Sequence, residues 1–386
     1  MNLNHMDDED IFNYLDKIQD NDMTYESGRI LGSMCTIPDP IGLEAYKKFI
    51  ITNLGDPGLF KGTTQLESEV ISMIGELLHL KVAYGHIVTG GTEANITAMC
   101  SALYKFKEEN PKLKPEIILP RSAHFSFNKI IKMLSLKPVY VDLTDNYHID
   151  TTQLEELINE NTMVIVAIAG TTELGYVDDI NVISEIAYKH NIPLHVDAAF
   201  GGFVIPFLNN IQNHEILFDF KCRGVTSITI DPHKMGLAPI QCGGIIFRNK
   251  EDLDLLSIKT PYLTHDFQTT IVGTRSGAST AAIWTLLKHY GMDGYTRIVE
   301  NVMNITRYTY ENLKKIEDVC VRDYELNLLS FNVKSMDVNS LKEELLKYGW
   351  SVSVSEIPHA IRLVIMPHIK KEHIDEFIVD LKKIIK

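Results

Sequence analysis

The chain has no apolar run approaching the roughly 20 residues that a membrane-spanning helix needs. Its opening, "MNLNHMDDED", is acidic and has no apolar stretch of the kind a secretory leader carries, so no signal peptide is expected. Positive charge is in short supply: 37 Lys+Arg stand against 51 Asp+Glu, for a net charge of −14. That balance repels polyanions and argues against nucleic acid or an anionic membrane as a partner. Cysteine is scarce and odd in number. The 5 cysteines (Cys35, Cys100, Cys222, Cys242 and Cys320) are scattered and show no metal-ligand spacing, so no metal site is expected. Such usage fits a reducing cytoplasm, with Cys222 and Cys242 read as small apolar fillers. No low-complexity tract or internal repeat is evident.

What remains is an ordinary globular composition, 45% hydrophobic and 23% charged, over 386 residues. That length is enough for a large core and a second domain. The rhythm of the chain divides it at residues 1–55, 56–300 and 301–386. The first part reads as helices interrupted at "TIPDPIG" (Thr36–Gly42), where two prolines end any helix. "NLGDPGLFKGT" (Asn53–Thr63) reads as an ordered loop and Gln65–Leu80 as an amphipathic helix. Apolar runs then alternate with helical stretches. The predicted strands are His86–Val88, Glu116–Leu119, Pro138–Val141, Met163–Ala169, Leu194–Val196, Ser227–Ile230 and Gly243–Phe247. Several alternate little, as strands buried on both faces do, and this predicts an α/β domain with a mainly parallel sheet. From Leu328 the pattern becomes strand, helix, strand, strand, helix, which predicts a small C-terminal α+β domain. Its last helix places Ile374, Phe377, Ile378, Leu381 and Ile385 on one face.

In open α/β sheets ligands sit at the carboxyl ends of the strands, so the residues after each predicted strand carry the chemistry. After Val88 comes "TGGTEAN". Its Gly90-Gly91-Thr92 opens a helix, where bare backbone N–H groups suit an anion such as phosphate; an ordinary capped turn fits this stretch equally well. After Leu119 comes His124, which alone reads as a surface or cap histidine. After Ala169 comes "GTTELG", with Thr171 at a strand end. After Val196 comes Asp197, a carboxylate that burial would penalise unless a cation faces it. After Ile230 comes "DPHK", which brings in Lys234. An ammonium resists desolvation, but a lysine that must become a nucleophile toward a carbonyl belongs in such a place. A phosphate cradle, an acidic strand end and a lysine, in that order, fit pyridoxal 5′-phosphate.

The stretches "TGGTEAN", "HVDAAFGG" and "DPHKMGLAP" closely resemble the group II pyridoxal-phosphate decarboxylases. With "GSMCTIPDP", "NLGDPGLFKGT", "GTTELG" and "GTRSGA" added, the chain is most similar to the archaeal L-tyrosine/L-aspartate decarboxylases. The resemblance covers nearly the whole chain. In the family a histidine often stands between the two prolines where this chain has Asp39. The resemblance implies a fold-type I, aspartate-aminotransferase-like architecture and an aldimine on Lys234. It implies that His233 lies near the phosphate or the leaving carboxylate, and that Asp197 pairs with the pyridinium. Ala199 and His124 are expected on the two ring faces, Gly91 and Thr92 at the phosphate, and Thr171 at the ring hydroxyl or substrate carboxylate. It further implies a cytoplasmic homodimer in which Thr274, in "GTRSGA", reaches the partner's phosphate. Arg362 is a candidate for the substrate carboxylate, with a structural ion pair as the equal alternative. Tyr262 falls where the family has a mobile loop bearing a catalytic tyrosine. The implied reactions are L-tyrosine to tyramine, for methanofuran, and L-aspartate to β-alanine, for coenzyme A. The rival readings are a carbon–carbon lyase of the sphingosine-phosphate-lyase type, a glutamate decarboxylase, desulfurase or aminotransferase chemistry, and a vitamer-binding carrier.

Overall fold

The structure, a computed structural model, describes residues 4–386. Three helices, α1 (Asp8–Gln19), α2 (Pro40–Phe49) and α3 (Lys61–Leu77), precede the main sheet. The sheet has seven strands: β1 (Tyr84–Val88), β2 (Glu116–Pro120), β3 (Lys137–Val141), β4 (Thr162–Ile168), β5 (Leu194–Ala198), β6 (Val225–Ile230) and β7 (Gly243–Phe247). Their spatial order is β1-β7-β6-β5-β4-β2-β3. The run from β3 to β6 is parallel, while β7 runs antiparallel to both β6 and β1. Between the strands lie α4 (Gly91–Glu109), α5 (Ser126–Leu134), α6 (Thr151–Glu156), α7 (Ile180–Lys189) and α8 (Ile205–Leu208), and α9 (Lys250–Asp254) follows β7. Every residue of β4 is buried, as its unbroken apolar run predicts for a strand covered on both faces. Alternate residues enter different cores. Ile165, Val196 and Ile228 pack on one side of the sheet, and Val164, Val166 and Ile245 pack with Ala94 and Ala98 of α4 on the other.

A short hairpin, β8 (Ile258–Lys259) with β9 (Phe267–Gln268), then leads into the 38-residue α10 (Gly277–Lys314). That helix breaks at Gly291, whose φ of +55° a side chain would disfavour. The C-terminal domain is an antiparallel sheet of β10 (Val319–Val321), β11 (Leu328–Val333), β12 (Ser353–Ser355) and β13 (Ala360–Val364), ordered β10-β11-β13-β12. It is backed by α11 (Val338–Lys347) and α12 (Lys371–Ile384), around Trp350, Phe331 and Phe377.

Two details depart from the sequence reading. Within "TIPDPIG" the second proline starts a helix instead of ending one. Pro40 occupies the first turn of α2, where its missing N–H is not needed, and the Asp39 carboxylate accepts from Ile41 N–H at 3.0 Å. The C-terminal sheet has an additional edge strand, β10, whose three residues are too few to carry a period.

One buried ion pair ties the parts together. The Arg275 guanidinium grips the Glu67 carboxylate with both nitrogens, at 2.5 and 3.1 Å, and also donates to Ile87 O at 2.9 Å. It thereby fastens the segment before α10 to α3 and to β1. Burial alone would raise the Glu67 carboxyl, but Arg275 and His86 outweigh it and hold Glu67 at about 2. Glu67→Gln should therefore lower stability by about 3–5 kcal/mol, the usual effect of leaving one charge of a buried pair alone. The sign follows from the depressed value. The wild-type advantage is full above pH 4.5 and shrinks as the pH falls toward 2, which denaturant unfolding at a series of pH values would measure.

Candidate active site

The carboxyl ends of β1, β4, β5 and β6 open onto one cavity of 320 Å³. Its wall includes Gly90, Gly91, Thr92, Asn95, His124, Gly170, Thr172, Asp197, Ala199, Asp231, His233 and Lys234. The structure thus brings together seven residues singled out from sequence: Gly91, Thr92, His124, Asp197, Ala199, His233 and Lys234.

The floor is helix α4. Its N-cap is Gly90, no side chain caps it, and the first internal bond runs from Ala94 N to Gly90 O at 3.0 Å. The first-turn N–H groups of Gly91, Thr92 and Glu93 are therefore without helical acceptors, at the positive end of a 19-residue helix. Approach is possible because the turn carries no side chain. A Cβ on Gly91 would come within 3.0 Å of Asp231 Oδ2 and 3.2 Å of Ala199 Cβ. The cradle is held from behind by Gly243, where a Cβ would lie 2.4 Å from Gly90 Cα.

Asp197, next to the last residue of β5, has both oxygens engaged. Oδ2 accepts from Asn95 Nδ2 at 2.9 Å and Oδ1 from Ala199 N at 3.1 Å. Each oxygen keeps a lone pair, so the carboxylate can still meet a cationic ring nitrogen. The His124 imidazole accepts from Ser126 N–H at Nδ1, 3.2 Å away, and burial holds it below the ordinary histidine range. It is thus a neutral, flat ring at the cavity wall. His233 donates from Nδ1 to Cys242 O at 2.6 Å, which leaves Nε2 on the side of Asp231, 3.8 Å away.

Lys234 Nζ lies 3.2 Å from Asp231 Oδ2. Asp231 is only 4% exposed, and its Oδ1 is buried without a partner. A lysine paired to a buried carboxylate, a glycine cradle of bare N–H groups and an acidic strand end are consistent with a ligand that carries an anion for the cradle, an electrophilic carbonyl for the lysine and a cationic ring nitrogen for Asp197. Pyridoxal 5′-phosphate has that chemistry.

The other expected residues stand elsewhere. Thr171 is buried within its turn, its hydroxyl accepting from Tyr176 N–H at 3.1 Å, so the next residue, Thr172, forms the wall. Arg362 is 7% exposed in β13; its Nη1 donates to Gly32 O at 3.0 Å and Ser353 Oγ at 2.8 Å, and its Nε has no partner. Tyr262 sits at the tip of the β8–β9 hairpin and is 86% exposed. Thr274 lines a separate cavity of 520 Å³ with Ile50, Ile51 and Thr89. Sequence reasoning missed Asn95, Asp231 and Gly243. Asn95 stands one helical turn after Gly91 and so returns to the same helix face. Asp231 was visible three residues before the lysine. Gly243 had no signal, because a contact across strands cannot be read along a chain.

The pyridoxal-dependent decarboxylase conserved domain matches residues 60–334. The chain belongs to that family. A probable L-tyrosine/L-aspartate decarboxylase of Methanosphaera stadtmanae is 65% identical over 98% of this chain and 97% of its own length. An L-aspartate/L-glutamate decarboxylase of Pyrococcus horikoshii is 50% identical, covering 94% of both chains. Among solved structures, a sphingosine-1-phosphate lyase of Burkholderia pseudomallei superposes with a TM-score of 0.92 at 24% identity, over 99% of this chain and 91% of that one. A Lactobacillus brevis glutamate decarboxylase gives 0.89 at 23% identity, over 99% and 93%. The structural likeness establishes the fold-type I architecture, which a sphingosine-1-phosphate lyase and a glutamate decarboxylase share; the family match and the curated relatives decide for decarboxylation. This decarboxylase is a carboxy-lyase that uses pyridoxal 5′-phosphate to act on an amino acid.

Gly243→Ala should force the β1–α4 turn outward, since the new methyl meets backbone atoms that cannot rotate away. Overpacking of this kind costs about 1–3 kcal/mol. Its expected signature is a loss of cofactor affinity of about tenfold or more, read by titrating the cofactor-free protein with pyridoxal 5′-phosphate.

Proposed function

We propose that this decarboxylase converts L-tyrosine to tyramine and L-aspartate to β-alanine, and that it works as a cytoplasmic homodimer. The observation that carries the reading is the meeting of Lys234, Asp197 and the α4 cradle in one cavity, in a chain 65% identical to a probable L-tyrosine/L-aspartate decarboxylase. Such products fit the supply of amine for methanofuran and of β-alanine for coenzyme A.

The bound cofactor supplies an electron sink for the carbon that loses its carboxylate. The chain's own residues do the rest. The first-turn N–H groups at Gly91 and Thr92 hold the phosphate. Asp197 accepts from the ring nitrogen and favours its protonated state. His124 and Ala199 bound the ring on its faces. Lys234 would hold the cofactor covalently and, as a free amine, carry protons within the cavity. Asp231, 3.2 Å from its Nζ, would hold the ammonium form. His233, its Nδ1 committed to Cys242 O, presents Nε2 toward the substrate side. Thr172 takes the place first given to Thr171. Arg362 stands outside this cavity with Nη1 bonded to Gly32 O and Ser353 Oγ, which favours the structural role over contact with the substrate carboxylate.

Tyr262 is proposed to donate the proton that replaces carbon dioxide. Its hairpin is anchored at Thr264 to Asp56 and Gly58 with Tyr262 exposed and away from its own cavity, an arrangement that suits service to a partner's site. The homodimer reading is supported by apolar side chains left exposed near this segment: Ile51 is 86% exposed and borders the cavity that Thr274 lines.

Carbon dioxide release from L-tyrosine, L-aspartate and L-glutamate, assayed in parallel, tests the substrate. Release from tyrosine and aspartate is the expected result. Release from aspartate and glutamate but not tyrosine would replace it with the chemistry named for the Pyrococcus relative. Lys234→Ala should lower turnover by more than about a thousandfold, the scale expected when a covalent catalyst is lost. It should also remove the borohydride-sensitive visible absorbance. Tyr262→Phe should bind cofactor normally and turn over about a hundredfold more slowly, the contribution typical of a single proton donor.

A further inference from the structure

Behind Asp197 lies a chain of polar groups that the reaction scheme above leaves without a role. His195 and Asp197 alternate with Val196 on β5 and so share a face. In register on β6 stand Ser227, opposite His195, and Thr229, opposite Asp197. Asn95 comes down onto the same face from α4. Its Nδ2 donates to Asp197 Oδ2 at 2.9 Å, and its Oδ1 faces His195 Nε2 at 3.0 Å. His195 Nδ1 in turn faces Ser227 Oγ at 2.8 Å.

The direction of each hydrogen bond follows from the carboxylate end. Asp197 accepts, so Asn95 must turn its amide nitrogen toward it. The Asn95 oxygen then faces His195, so Nε2 must carry the hydrogen. Nδ1 is left as an acceptor, and the Ser227 hydroxyl donates to it. His195 is fully buried, and burial holds it at about 4, so the ring is neutral and has one ring hydrogen to place. No member can reverse alone without setting acceptor against acceptor or donor against donor, which is costly away from water.

We propose that Asn95, His195 and Ser227 are positioning residues that hold Asp197 in one rotamer, as an acceptor aimed at the cofactor's ring nitrogen. The proposal rests on the role given to Asp197 above. It assigns to the relay a job beyond filling the core: the ring nitrogen, and no other part of the cofactor, should feel its loss.

The test compares two ligands of the cofactor-free protein, pyridoxal 5′-phosphate and its analogue with a C–H in place of the ring nitrogen. The wild-type protein should prefer the pyridine by about tenfold to a hundredfold, the range for one charge-assisted hydrogen bond. His195→Phe should reduce that preference to less than about threefold on the same scale. His195→Gln, which can still donate from the Nε2 position, should keep most of it. If His195→Phe does not fold, Asn95→Ala carries the same comparison, alanine being well accepted in a helix. Equal weakening of both ligands would show a structural role only and overturn the proposal. Asp197→Asn separates the two levels. If it keeps the preference, the role of Asp197 itself is wrong. If it loses the preference while the relay variants retain theirs, the relay alone is wrong.

Discussion

A lysine ammonium held beside a carboxylate at the closed end of a sheet is the interaction on which this structure turns. Lys234 could not be brought there without Asp231, since an isolated cation resists leaving water. Asp231 in turn has an oxygen that no group among the described residues satisfies, and that oxygen lies beside the glycine turn opening α4. The site therefore holds a paired cation on the lysine turn and bare N–H donors at the helix end, which suit a ligand with an electrophile for the one and an anion for the other.

The strand ends divide the work. β1 and α4 present backbone donors, β5 an acceptor, and β6 a nucleophile on a turn. None of these groups reaches far, so their meeting depends on backbone contact. The close approach of Gly243 to Gly90 sets how near the cradle stands to β6. The Arg275–Glu67 pair fixes β1 from the other side and commits the chain just before α10. Asp39 shows the same economy at a distance: its backbone N–H bonds to Leu237 O at 3.0 Å and its side chain caps α2, which anchors the N-terminal segment to the loop after Lys234.

Much of this was legible in the chain. All seven main strands overlap the stretches read as strands, and those such as β4 that are buried on both faces carry an unbroken apolar run that needs no partner to be seen. Lys234, Asp197 and Gly91 were legible for the opposite reason: each is costly or unusual at a strand end, so its presence asks for a cause. Thr171 and Thr172 were not separable, because either hydroxyl could turn inward and only the bond from Tyr176 N–H decides it. The start of α2 at Pro40 was misread because proline both ends helices and begins them. The roles of Asn95 and Gly243 depend on which elements become neighbours, and a one-dimensional pattern does not record that.

The sheet order carries a further consequence, for the time at which the site comes into being. β1 stands at an edge, and its single neighbour is β7, so Tyr84 finds its partner only in Phe247. A chain emerging from the ribosome can pair β2 through β6 as they appear, but the strand that leads into the cradle has no place until β7 has been made. Until then the flank of β6 is an open edge, and β1 is joined to the sheet only through α4. The pairing of β1 with β7 is thus a long-range closure that follows the formation of the sheet's interior.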